Sequence, residues 1–213
     1  MTSDKQFSWN AFFSSLAAAE HAAAVQCQQI AALFRKAKRF DLEQIYLKFS
    51  EEETGHFETV SSLINSEIEI TPKARYVYAG KLMRRQDCVL EKMAIVHLAF
   101  EPSALAFLGH IHQNAEVYFK DQKYAQKVKN AFGAILKEEV FHIHTGKELI
   151  CELLKTSDHV TRKNIKDSLR IHKAFLSLGL KYFFKNSEDS RAFTASMLVN
   201  YNLRFENLAQ ELA

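Results

Sequence analysis

Residues 128–149 read VKNAFGAILKEEVFHIHTGKEL, and Val128, Phe132, Ile135, Gly146 and Leu149 recur at the three- and four-residue steps of one helical face. That face is not apolar throughout. Glu139 and His142 stand on it three residues apart, so a carboxylate and an imidazole project from neighbouring turns toward whatever the face packs against. An ionised carboxylate buried without a counter-charge is disfavoured by on the order of several kcal/mol. The stretch therefore predicts a core helix wrapped around positive charge.

Working outward, the same feature returns on three more helical stripes. Ile45, Phe49, Glu53, His56, Val60 and Leu63 form one, again with Glu-x-x-His inward; Phe13, Leu16, Glu20, Ala23, Cys27, Ile30 and Phe34 form another; Leu90, Ala94, His97, Glu101, Ala104, Leu108 and Ile111 form the last. One Glu-x-x-His alone is a weak signal, but the order Glu, Glu-x-x-His, Glu, Glu-x-x-His on successive apolar stripes is specific. Four carboxylates and two imidazoles suit a pair of iron or manganese ions. The expected metal ligands are Glu20, Glu53, His56, Glu101, Glu139 and His142, with no catalytic side chain expected beyond them. Glu51, Glu52 and Glu138 flank the motif carboxylates but have no His three residues on. His97, and His172 on a stripe with Leu169 and Leu176, are expected as hydrogen-bonded core histidines that could support ligands.

The rest of the chain agrees with an all-α fold. In 213 residues there are 6 Gly and 2 Pro, too few for the many tight turns of an all-β protein. Helices are predicted over about 7–37, 42–66, 88–119 and 122–155, followed by two more over about 159–184 and 189–211, with Asp41 and Asp121 as N-caps. Short connections make two antiparallel hairpins, and the long stretch 66–87, with Pro72 and Gly80, reaches the length of a bundle. The expectation is one domain over 1–213: a metal-binding four-helix core at about 8–155 and the C-terminal pair at about 159–211. Pro102, directly after Glu101, removes a backbone donor inside a helix, so a kink or widened turn is expected there.

Cys27, Cys88 and Cys151 are far apart and form no C-x-x-C pair, which leaves them as small buried hydrophobes. No basic-then-apolar leader and no long uncharged apolar run is evident, so a cytoplasmic protein without a membrane partner is expected. The net charge of +3 neither demands nor excludes an anionic partner. Arg35, Lys36, Lys38 and Arg39 close the first helix, where cations meet unsatisfied carbonyls; Arg75, Lys81, Arg84 and Arg85 form a second basic cluster.

Over roughly residues 8–155 the chain resembles the ferritin-like di-iron carboxylate superfamily. The residues that carry the resemblance are Ala-Glu-His at 19–21, Glu-Glu-Thr-Gly-His-Phe-Glu at 52–58, Ala-Phe-Glu-Pro at 99–102 and Lys-Glu-Glu-Val-Phe-His-Ile-His-Thr-Gly at 137–146. The resemblance implies that Glu53 and Glu139 bridge two iron ions, that Glu20 and Glu101 are terminal ligands, and that His56 and His142 hold one ion each. Both Glu-x-x-His motifs are present, as in the oxygenase and oxidase branch, and the rubredoxin segment of rubrerythrins is absent. Segment 137–149 is similar to the last metal helix of aldehyde-deformylating oxygenases and of aromatic-CoA epoxidases, and 52–58 is similar to tRNA hydroxylases of the superfamily.

What the resemblance implies is an O2-dependent di-iron oxygenase or oxidase acting on a small or medium apolar molecule, supplied with electrons by a ferredoxin or reductase, as a monomer or dimer. A ferroxidase that handles iron, and a di-iron tRNA hydroxylase, are the alternatives; nucleic acid is the less favoured partner.

Overall fold

The computed structural model describes residues 9–64, 88–157, 159–167 and 169–170. Among them every regular element is a helix: α1 (Trp9–Lys36), α2 (Phe40–Ser61), α3 (Val89–Ile95), a π-helical turn (Val96–Phe100), α4 (Glu101–Tyr118) and α5 (Gln122–Leu154), with residues 159–167 helical after that. The long connection and most of the C-terminal pair, including His172, Pro72 and the second basic cluster, lie outside the described residues.

α1 and α2 pack along one another as a hairpin, as do α4 and α5. The turn between the first two is only three residues. Lys38 takes a positive φ of 59° and Arg39 N–H donates to Phe34 O at 2.9 Å, a left-handed closure of the helix end made with lysine in place of glycine. α2 consequently starts at Phe40, and its N-cap is Arg39 without a side-chain cap. Asp41 is not the cap: it lies inside the first turn, where it pairs with Arg39 at 3.0 Å. Asp121 does cap α5, accepting from the backbone N–H groups of Lys123 and Tyr124.

Two apolar cores lie at opposite ends of the helices. Phe13, Ala17, Val60, Leu108, Phe132 and Ile135 belong to one; Cys27, Phe49, Leu98 and Ile150 belong to the other, which Ile165 and Leu169 also join. α1, α2, α5 and the continuous rod 89–118, made of α3, the π-helical turn and α4, each run from one core to the other and carry a Glu or Glu-x-x-His between them. α1 and α5 leave the first core for the second, whereas α2 and the rod 89–118 run the opposite way.

The inward faces differ from the expected stripes by a slight rotation. Tyr46 is fully buried where Ile45 is only partly so, Ala17 and Ala24 are more buried than Leu16 and Ala23, and Ile150 more than Leu149. Cys27 is buried as expected, but Cys88 and Cys151 are half-buried. By length and composition alone the rod 89–118 could cross a membrane, yet its most apolar stretch is mostly buried inside the protein, as in a core helix.

Candidate metal centre

The six expected residues come together. Glu20, Glu53, His56 and Glu139 form one group, and Glu53, Glu101, Glu139 and His142 another; within each, one ligand atom per residue lies within 4.8 Å of the others. All six are buried, none more than 3% exposed. Glu53 and Glu139 belong to both groups.

Among the described residues, the buried side-chain atoms without a hydrogen-bond partner are Glu20 Oε1, Glu53 Oε2, His56 Nδ1, Glu101 Oε1, Glu139 Oε2 and, apart from the cluster, Ser61 Oγ. Buried polar atoms are nearly always paired, so five orphans at one place need a common explanation. His56 Nδ1 lies 3.4 Å from Glu139 and 3.5 Å from Glu53, without hydrogen-bond alignment to either. A hard oxygen and nitrogen donor set whose unpaired atoms converge fits divalent iron or manganese.

The electrostatics point the same way. Burial drives the Glu20 carboxyl well above the usual range, and the neighbouring Glu53 and Glu139 add to it. Burial, reinforced by Glu53, also raises Glu139, to about 8. Glu53 goes the other way: burial opposes its ionisation, but the hydrogen bond from His142 Nδ1 at 3.1 Å and the nearby charge of His56 and His142 outweigh that and hold it at about 2. Burial disfavours protonated imidazoles too, yet the carboxylates lift His56 to about 11 and His142 to about 9. Bound protons thus offset carboxylate charge that a cation would offset on binding.

The outer nitrogens of the two imidazoles are held by carboxylates from the opposite hairpin. His56 Nε2–H donates to Glu138 Oε2, and His142 Nε2–H donates to Glu52 Oε2, each at 2.8 Å. α2 and α5 thereby clasp each other reciprocally, and Nδ1 of each ring is left facing the cluster. On the third rod the Glu101 N–H donates to Val96 O, five residues back. This is the widened turn expected from Pro102, which has no N–H to offer Leu98 O. Within it His97 Nδ1–H donates to Glu101 Oε2 at 2.7 Å, and His97 Nε2 accepts from the Tyr46 hydroxyl at 2.8 Å.

No protein-family model matches the chain, and no curated protein matches it.

Three supporting residues were not assigned in the sequence. Glu52 and Glu138 carry a usable signal, a doubled Glu in both Glu-x-x-His motifs, but the imidazole each one holds lies on another helix, which spacing does not reveal. Tyr46 was hidden behind the more apolar Ile45. His97 is the hydrogen-bonded core histidine expected of it. Burial, with further push from Glu53, Glu101 and Glu139, raises the Cys27 thiol well above its usual range, so Cys27 stays a neutral neighbour of the cluster.

Proposed function

We propose that the chain is a non-haem di-iron protein of the ferritin-like oxygenase and oxidase branch, which activates O2 to oxidise a small or medium apolar organic molecule. The observation that carries this reading is the pair of ligand groups sharing Glu53 and Glu139 between two apolar cores. The ferritin-like architecture draws support from the sense of the helices: α2 and the rod 89–118 run the same way between the cores.

When bound, a redox-active metal pair supplies the electrons that dioxygen chemistry needs. The chain's residues supply the setting. Glu53 and Glu139 offer carboxylate oxygens to both subsites, while Glu20 and Glu101 offer one to each. Glu138 and Glu52 accept from Nε2–H of His56 and His142, so Nδ1 would be the atom of each ring that gives up its proton and holds a metal. The Phe49 ring, 4.5 Å from that of His142, sets an apolar wall beside the cluster. An apolar substrate, an external ferredoxin or reductase and a cytoplasmic setting complete the proposal.

The test is to load the full chain anaerobically with Fe(II), admit O2 and follow oxygen uptake, oxidised di-iron absorption and assembly size together. Two irons per monomer or dimer subunit that react promptly with O2 support the proposal. A large hollow assembly storing many irons per chain would instead make it an iron-handling ferroxidase, and a loaded centre inert to O2 would make it structural.

A further inference from the structure

Aligning the two hairpins on their motifs pairs Glu20 with Glu101, Glu53 with Glu139, His56 with His142 and Glu52 with Glu138. The surroundings of the terminal carboxylates break this likeness. Four residues before Glu101 stands His97, but four before Glu20 stands Leu16; seven before Glu53 stands Tyr46, but seven before Glu139 stands Phe132. The matched positions are therefore polar on the Glu101 side, His97 and Tyr46, and apolar in their counterparts, Leu16 and Phe132.

The support is tightly built. Tyr46 and His97 are both 0% exposed. A Cβ placed on Gly146 would lie 2.0 Å from His97 Cγ, so the imidazole occupies the space that a side chain on α5 would need. His97 holds Glu101 Oε2, which leaves Oε1, the unpaired oxygen, turned to the cluster 3.8 Å from His142 Nδ1. Glu20 is engaged only by members of the cluster itself, through a side-chain hydrogen bond with Glu53. Its Oε1 is unpaired, and His56 Nδ1, itself a member of the cluster, is 4.0 Å from Oε2.

We propose that the two metal subsites are inequivalent and fill in order: the Tyr46–His97 pair presets Glu101, so the subsite of Glu53, Glu101, Glu139 and His142 binds first and more tightly, and Glu20 completes the second. The inference rests on the metal-centre reading above. Its physical basis is that Glu101 has already given up rotamer freedom that Glu20 still has to lose when an ion binds, and that its free oxygen already points inward. Tyr46 and His97 are positioning residues, since neither contributes a ligand atom to either group.

The experiment is an anaerobic titration of the full chain with Co(II), followed by the absorption bands of the bound ion and by calorimetry. Wild type should take up two ions in distinct steps. Glu20→Gln should keep the tighter step alone, and Glu101→Gln the weaker alone. Adding Tyr46→Phe to Glu20→Gln should weaken binding by about 10- to 100-fold and shift the Co(II) bands, the range expected when an outer-shell partner is lost. Adding it to Glu101→Gln should leave affinity and bands unchanged, which general loss of structure would not do. Two equal steps in wild type, or Tyr46→Phe acting alike in both backgrounds, would overturn the ordering while leaving the metal centre intact. No Co(II) uptake at all would remove the metal centre and the ordering together.

Discussion

At the scale of single residues, the cluster depends on side chains that never face an ion. Glu52 and Glu138, 22% and 50% exposed, sit at the solvent border and hold the imidazoles from outside. Glu52→Ala should weaken metal retention through His142, and Glu138→Ala through His56, each by about 10- to 100-fold; competition against a calibrated chelator measures this, and unchanged affinity in both would show the clasp to be incidental. The six inner residues were legible because a charge on an apolar stripe violates the expected pattern, and the violation recurs on four helices. The outer carboxylates violated nothing: an exposed Glu beside another Glu is ordinary, and its partner on a different helix is set by packing rather than by spacing. Tyr46 was illegible for a related reason, because a one-position rotation of α2 decides whether residue 45 or 46 faces inward.

At the scale of elements, the helices among the described residues were legible to within a few residues, and the departures have local causes. α2 begins before Asp41 because the left-handed Lys38 turns the chain so sharply that Arg39 O already accepts from Glu43 N–H, at 3.0 Å. The widened turn at Val96–Phe100 was legible through Pro102, whereas its partner, the close approach of α5 at Gly146, was not. Two glycine substitutions separate packing from propensity. Gly146→Ala should lower stability by about 1–3 kcal/mol, because its Cβ would meet the His97 ring at 2.0 Å and force it aside. Gly55→Ala, with nothing within 4 Å of its Cβ on the exposed side of α2, should raise stability by about 1 kcal/mol. Denaturant unfolding of both variants checks the pair, and a harmless Gly146→Ala would contradict the tight seat of His97.

At the scale of the whole molecule, buried protons tie stability to pH and to metal. His56 and His142 hold their protons up to about 11 and about 9 in the folded chain, above the 6.5 of a free imidazole, so their contribution is full below 6.5 and fades as pH rises through those values. Glu139, raised from 4.5 to about 8, favours its protonated form and likewise withdraws stability between those two values. Glu53, lowered from 4.5 to about 2, has the opposite effect, with stability present above 4.5 and lost as pH falls toward 2. Without metal the chain should therefore melt at lower temperature at pH 9 than at pH 6. Metal binding displaces the imidazole protons, so affinity should rise over the same range, and a subsite with free metal at 100 times its Kd adds about 2.7 kcal/mol. A melting temperature that rises from pH 6 to 9 in the metal-free chain would contradict this balance. The all-α fold and the convergence of four helices were legible at this scale, and the expected crossover over 66–87 lies outside the described residues. The central claim is that one buried cluster binds two metal ions through shared carboxylates, and its most direct test is the iron content of the chain after anaerobic Fe(II) loading and removal of unbound iron. Two irons per chain are expected, falling to none when Glu53 and Glu139 are both replaced by alanine; two irons retained by that double variant, or none bound by the wild type, would rule the shared centre out.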